Sequence, residues 1–326
     1  MEITSLGLHI TDRCNAKCLH CAFYCGPEIV GYMELEEAKQ YVAGASALGA
    51  EIVCTTGGEP MLYPILVKKI ISECSRLSFH QIWLFTNGFW AHNKSKAATT
   101  ARGLRKLGLT KMFFSADSFH QAYVPMESVK NAIEASLESG LEVSVDARFL
   151  GKPYEKNEFD LATKANLEFL GGLLTKVEVT KAQPMFVGRA AESLAKSVKM
   201  KPLSEISAEA CPGAWSGGTL DSPLGVDVDE FGFVTVCPGL SIGNAREVSL
   251  RKIVEDYNYR NYAVIAAIRD EGLKGLTNLA SKHGFAPRRA YVDACHLCYK
   301  TREFLRKYLR EALVLPTTDF SVQGNI

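Results

Sequence analysis

Short β-rich apolar runs alternate with amphipathic helical patterns through the first 190 residues, which restricts the chain to a parallel sheet built from βα units. The runs lie at 6–10, 52–56, 82–86, 111–116, 143–148 and 177–180. Helical patterns fill the gaps at 35–48, 65–77, 95–107, 129–137 and 158–170. Parallel strands need a crossover before each return, and the stretches that hold these patterns between the runs are long enough to supply it. Six repeats are too few for an eight-stranded barrel, so the expected fold is α/β: a partial (β/α)6 TIM-like barrel, open along one side to admit a bulky substrate. The pattern changes after Gly188-Arg189-Ala190, and 326 residues leave room for a further unit. The expected division is a core domain at 1–190 and a smaller, cysteine-rich C-terminal domain at 191–326.

Hydrophobic residues make up 47% of the chain, enough for a sizeable core, yet no apolar run approaches the ~18 residues of a membrane span. No charged stretch followed by an apolar one precedes the first strand, so a cytoplasmic protein is expected. Lysine plus arginine (37) nearly balance aspartate plus glutamate (36), which gives no electrostatic footprint for nucleic acid. Ten cysteines in such a chain read as metal ligands in a reducing compartment, not as disulfides.

In parallel βα folds, ligand chemistry gathers where strands end and loops begin. Cys14, Cys18 and Cys21 follow the first strand in the run Thr11-Asp-Arg-Cys-Asn-Ala-Lys-Cys-Leu-His-Cys21. Gly57-Gly58-Glu59-Pro60 follows the second, Thr86-Asn87-Gly88 the third and Ser115-Ala116-Asp117 the fourth, while Arg148 closes the fifth. Three thiolates are one too few to close a cubane, so a [4Fe–4S] cluster held here would keep one iron open for a non-protein ligand. Zinc is the competing reading, although structural zinc favours four ligands in paired knuckles.

Past residue 190, Cys211, Cys237, Cys295 and Cys298 supply four more thiolates, which satisfy either a fully ligated second [4Fe–4S] cluster or a tetrahedral zinc. Between them a hairpin is expected, pairing Val226 and Val228 with Phe233, Val234 and Val236, and then a turn at Gly243-Asn244. Helical patterns at 250–269 and 301–314 flank the final CxxC, in which His296 reads as a spacer. The last pattern buries Phe304, Leu305, Tyr308, Leu309 and Ala312 and turns Arg302, Arg306 and Arg310 outward. Cys54 and Cys74 fall inside apolar patterns and read as small core residues.

The CxxxCxxC spacing, with His20 before its last cysteine, and the turn residues in this order resemble the radical S-adenosylmethionine (SAM) enzymes over residues 3–190. That resemblance implies a [4Fe–4S] cluster on Cys14, Cys18 and Cys21, with SAM's amino and carboxylate groups on the open iron. Gly57, Gly58 and Glu59 resemble the GGE motif that receives SAM's ammonium group. Asn87 stands where the family lines the nucleoside, Ser115 and Asp117 where it contacts the ribose, and Arg148 where a cation can pair with SAM's carboxylate. The implied activity is reductive cleavage of SAM to a 5′-deoxyadenosyl radical, fed by a reducing partner such as flavodoxin or ferredoxin. Cys211-Pro-Gly, Cys237-Pro-Gly and the late CxxC resemble a shortened SPASM or twitch auxiliary unit, implying the second [4Fe–4S] cluster.

Within the superfamily the chain most resembles epipeptide-type peptide epimerases. The shared features are Asn87-Gly-Phe-Trp90, Asp117 with His120 before Tyr123-Val124, Lys181, Pro184-Met185, Val187-Gly188, Cys211-Pro-Gly and the CxxC. It departs from them at Cys237, which Pro238 follows where that type has a second cysteine as hydrogen donor. The implied function is modification of a ribosomally synthesised peptide by cross-linking, oxidation or epimerisation, with a separate recognition protein or the C-terminal unit engaging the peptide. A small metabolite or cofactor precursor is the alternative substrate. A non-catalytic iron–sulfur electron carrier is the alternative class, although such a carrier has no use for a SAM-binding turn. Cys25, four residues past the motif, is a candidate hydrogen donor, an alternative ligand or a plain loop thiol, and His120 a candidate substrate-facing residue or a structural histidine.

Overall fold

The computed structural model describes residues 1–151 and 157–312. The first half alternates as the patterning requires: β1 Ser5–His9, α1 Leu35–Ala47, β2 Ile52–Thr56, α2 Pro64–Arg76, β3 Gln81–Thr86, α3 Lys94–Lys106, β4 Lys111–Ser115, α4 Ser118–Gln121, α5 Met126–Glu138, β5 Glu142–Arg148, α6 Glu158–Leu170 and β6 Glu178–Ala182. The second half contributes α7 Arg189–Ser193, β7 Lys201–Pro202, α8 Leu203–Ile206, β8 Gly225–Asp229, β9 Phe233–Cys237, β10 Leu240–Asn244, α9 Leu250–Glu255, α10 Ala263–Ser281, β11 Ala290–Tyr291 and α11 Ala294–Leu305. Side-chain caps mark the helix starts, as where Asn93 accepts from the Lys96 N–H and Asn157 from the Asp160 N–H.

Nine strands form one sheet in the order β10-β9-β8-β1-β2-β3-β4-β5-β6. The strands from β8 through β6 run parallel, and β9 and β10 add an antiparallel edge. Alternate residues point to opposite faces of a strand. Leu6, Leu8, Val53, Ile82, Leu84, Met112, Phe114 and Val145 lie under the helices at 0–2% exposure, each contributing about 1.5–3 kcal/mol by burial. The opposite face carries Gly7, His9, Cys54, Trp83, Phe85, Asp227 and Asp229, which line the hollow of the partial barrel.

Four elements differ from the sequence expectation. The hairpin of β8 and β9 pairs in parallel with β1 and so extends the main sheet. Gly243-Asn244 ends strand β10 and is not a turn. The helix expected over 250–269 breaks after α9, because the Asn258 side chain caps a single 3₁₀ turn at Tyr259–Asn261 and restarts the chain in a new direction; α10 then runs on to Ser281. The last helix begins at Ala294, seven residues early, because Asp293 accepts from the His296 N–H and caps it there. That places the CxxC in its first turns, ends it at Leu305, and leaves Tyr308 exposed and Arg302 buried at 1%. Residues 313–314 of the expected helix lie outside the described residues. Among the described residues, no helix is long and apolar enough to cross a membrane.

Candidate functional site

The cysteine loop leaves β1 and is held from two sides. From β2, the Gly58 N–H donates to the Thr11 carbonyl at 2.6 Å and the Glu59 N–H to the Arg13 carbonyl at 2.9 Å. A Cβ on Gly58 would fall 2.2 Å from the Arg13 oxygen, so the second glycine of the motif lets this turn lie against the cysteine loop itself. From beyond β6, Arg189 reaches back across the fold. Its guanidinium donates to the carbonyls of Cys18 at 2.9 Å, Tyr24 at 2.7 Å and Cys25 at 2.7 Å, and its backbone N–H donates to the Cys21 carbonyl at 2.9 Å. Gly188, at φ +56, makes that approach possible, since a Cβ there would sit 2.1 Å from the Ala22 oxygen.

Cys14, Cys18 and Cys21 open onto a cavity of about 480 Å³, within the range of small-molecule and cofactor sites. Its walls also include His20, Cys25, Gly57, Gly58, Asn87, Ser115, Asp117, His120 and Arg148, so the strand-end residues converge on one space. Glu59 does not line that space. Its carboxylate is buried and accepts from the Met61 N–H at 2.9 Å, the Thr86 hydroxyl at 2.8 Å and the Asn87 N–H at 2.7 Å. Burial pushes the Glu59 carboxyl up to about 7 against those hydrogen bonds. In this geometry Glu59 fixes Thr86 and Asn87, and the Asn87 amide in turn donates to Asn15 at 2.9 Å.

Asp117 caps α4 by accepting from the N–H groups of Phe119 and His120, both at 3.1 Å, and its oxygens lie 2.9 and 3.0 Å from His120 Nδ1. Burial pushes the Asp117 carboxyl up, but the charges of His120 and His20 with the hydrogen bonds outweigh it and hold the group well below the usual carboxylate range. Burial likewise opposes charge on His120, yet Asp117 overcomes it and raises the imidazole above its ordinary value. His20 stacks on Phe119 at 4.8 Å, and burial pushes its imidazole down to about 3. Arg148 stands 3.7 Å from Asp146 on the same wall.

Cys25 is buried, with Sγ 3.9 Å from His9 Nε2 and 3.8 Å from Asp12 Oδ1, and those two groups are 2.8 Å apart. A hydrogen bond from Cys25 brings the Cys21 thiol down to about 6, while burial pushes Cys14 up to about 12. A bound metal must overcome that burial to ionise the thiols.

The four later cysteines are half-buried, and Cys295 reaches the wall of the first cavity. A second cavity of about 380 Å³ fills the barrel hollow between His9, Asp12, Cys54, Trp83, Asp227, Asp229 and the Pro238-Gly239 turn after Cys237. Phe23, Thr56, Phe85 and Trp215 line both cavities, so the two are neighbours that share a wall. Cys54 is thus a cavity residue, whereas Cys74 is fully buried in the core as expected. His296 is buried, and its Nδ1 accepts from the Val292 N–H at 3.2 Å. Among the described residues, the ligand-type triples within 4.8 Å of one another are Cys18–His20–His120 and His9–Asp12–Cys25, neither of which includes a later cysteine. The four later thiols lie close enough to act on one another's charge, Cys295 with Cys237, Cys298 and Cys211, and Cys237 with Cys298 and Cys211, so four ligand-type sulfurs meet in one place.

Sequence reasoning located the cysteine and strand-end residues but missed Arg189, Asn15 and Trp215. Arg189 itself was visible only within Gly188-Arg189-Ala190, where the repeating pattern ends.

A profile of the Radical SAM superfamily matches residues 8–162. The chain is similar to "Putative peptide biosynthesis protein YydG" of Bacillus subtilis (strain 168), at 27% identity over 213 residues, covering 64% of each protein. It is also similar to a GTP 3',8-cyclase of Desulforamulus reducens, at 32% identity over 122 residues and 36% of each protein. The chain thus spans about a third to two thirds of the length of these relatives. Among solved structures, "Native anSMEcpe with bound AdoMet" aligns at a TM-score of 0.49 and 15% identity, covering 93% of this chain and 97% of that one.

Proposed function

Residues 8–162 are a radical SAM domain, and from that premise we propose that the chain is an enzyme that cleaves SAM reductively and modifies a peptide. In this reading Cys14, Cys18 and Cys21 hold a [4Fe–4S] cluster, and Cys211, Cys237, Cys295 and Cys298 hold a second one in a C-terminal unit spanning 191–326. When bound, the first cluster and SAM supply a radical able to abstract an unactivated hydrogen. The chain's residues do the rest. Gly57, Gly58, Asn87, Ser115, Asp117, His20 and Arg148 line the space for SAM, and Glu59 and Arg189 hold that lining in register. Trp215, 43% exposed, and Phe23 sit where the two cavities meet.

The observation that carries the reading is the cavity that Cys14, Cys18 and Cys21 share with Cys295, beside a barrel hollow that reaches the Pro238-Gly239 turn after Cys237. A substrate in that first cavity borders both cysteine sets, an arrangement that suits oxidation or cross-linking. A single thiol at Cys237, followed by Pro238, favours those outcomes over epimerisation. The likeness to YydG supports a peptide substrate. A flavodoxin- or ferredoxin-type reductant and a separate peptide-recognition protein complete the proposal. The test is SAM turnover in the reconstituted protein with a short peptide encoded beside its gene, against GTP as the small-molecule competitor. Peptide-dependent turnover with a mass change in the peptide is expected; turnover stimulated by GTP alone would replace the peptide with a small-molecule substrate.

A further inference from the structure

Arg302 heads the fully buried side chains by volume, at 1% exposure. It lies on α11 four residues after Cys298, one helical turn along the same face. Its Nη1 donates to the Gly239 carbonyl at 2.5 Å and its Nη2 to the Pro238 carbonyl at 3.1 Å. Those two residues directly follow Cys237 and form part of the wall of the barrel hollow. One guanidinium therefore ties the turn carrying Cys237 to the helix carrying Cys295 and Cys298. Burying a cation costs several kcal/mol unless anionic charge faces it. The Arg302 guanidinium lies beside the sulfurs of Cys298 and Cys237 and hydrogen-bonds to Cys298.

We infer that Arg302 is the positioning residue of the auxiliary centre, where its buried charge holds the Cys237 turn against the barrel hollow and raises the centre's reduction potential. This rests on the reading that the four later cysteines hold a [4Fe–4S] cluster. Cluster potentials follow net charge and hydrogen bonds to the sulfurs, and a fixed cation favours the more negative, reduced state. A raised potential suits a centre that takes an electron from a substrate in the cavity that Cys295 lines.

The test is performed on the full-length holoenzyme. Iron is counted, and midpoint potentials are read by electron paramagnetic resonance; the signal that added SAM leaves unchanged belongs to the auxiliary centre. Arg302→Gln should retain about eight irons and lower that midpoint by at least tenfold in the reduction equilibrium, ~59 mV for one electron. Arg302→Lys should return most of the shift. An unchanged potential in Arg302→Gln with all irons present overturns the inference. If Arg302→Gln loses the second cluster, Arg302→Lys decides: a full complement at wild-type potential supports the role of charge, and loss there too refutes it. A wild type holding only about four irons fails the second-cluster reading, and the inference with it, before any variant is made.

Discussion

Replacing Arg189 by Met should loosen the cysteine loop more than any single change in the loop that spares the cysteines. The side chain is 7% exposed and supplies the donors for three carbonyl oxygens, those of Cys18, Tyr24 and Cys25. A buried acceptor left without its donor costs about 1–3 kcal/mol. Two of the three oxygens share Nη2 and the loop borders a cavity, so partial rehydration places the sum at the low end, about 3 kcal/mol. Methionine keeps much of the arginine stem's volume, which confines the loss to the hydrogen bonds. The assay is anaerobic urea unfolding of the cluster-free protein, comparing midpoints at constant slope, together with iron retained after reconstitution. A midpoint change worth under about 1 kcal/mol with wild-type iron would refute the claim that Arg189 organises the loop.

Asp227 gives a pH-dependent prediction. Burial raises its carboxyl to about 6, against the hydrogen bond from Ser216 at 3.3 Å. A carboxyl raised on folding binds protons more readily in the folded chain, so its cost is absent below the unfolded value near 4 and grows as pH rises through about 6. Asp227→Asn should therefore raise the melting temperature more at pH 8 than at pH 4, and an equal shift at both would contradict the assignment. Turnover of a peptide in D₂O separates the fates of the substrate radical. Oxidation or cross-linking gives a product two mass units lighter without solvent deuterium, whereas one deuteron gained by an unchanged peptide, and lost in Cys25→Ala, would establish epimerisation. Wild-type protein should carry about eight irons, and the Cys14→Ala, Cys18→Ala, Cys21→Ala triple variant about four; four irons with one zinc in the wild type would end the second-cluster proposal.

The strands and helices of the first half were legible because their signals are local. Period-two runs such as 52–56 and helical runs such as 158–170 carry their own boundaries, with Asn157 as a visible cap. The cysteine loop and strand-end turns were legible for the same reason. What the sequence hid depends on distant backbone. Arg189 finds its carbonyl on Cys18, 171 residues away, and Arg302 finds Gly239, 63 residues away. An arginine on a helical pattern reads as solvent-facing until those oxygens are in place. Glu59 is a similar case: its motif position points to a ligand, while its carboxylate is consumed by Thr86 and Asn87 across the β2–β3 ends. The break between α9 and α10 was obscured because Tyr257, Tyr259 and Tyr262 keep large side chains on either side of the cap at Asn258.

Release of 5′-deoxyadenosine tests the central claim most directly. The anaerobically reconstituted chain, given dithionite and SAM without any substrate, should form 5′-deoxyadenosine and methionine slowly, and loss of Cys14, Cys18 or Cys21 should abolish both products. A wild-type protein that holds its iron and binds SAM yet forms no 5′-deoxyadenosine would contradict it.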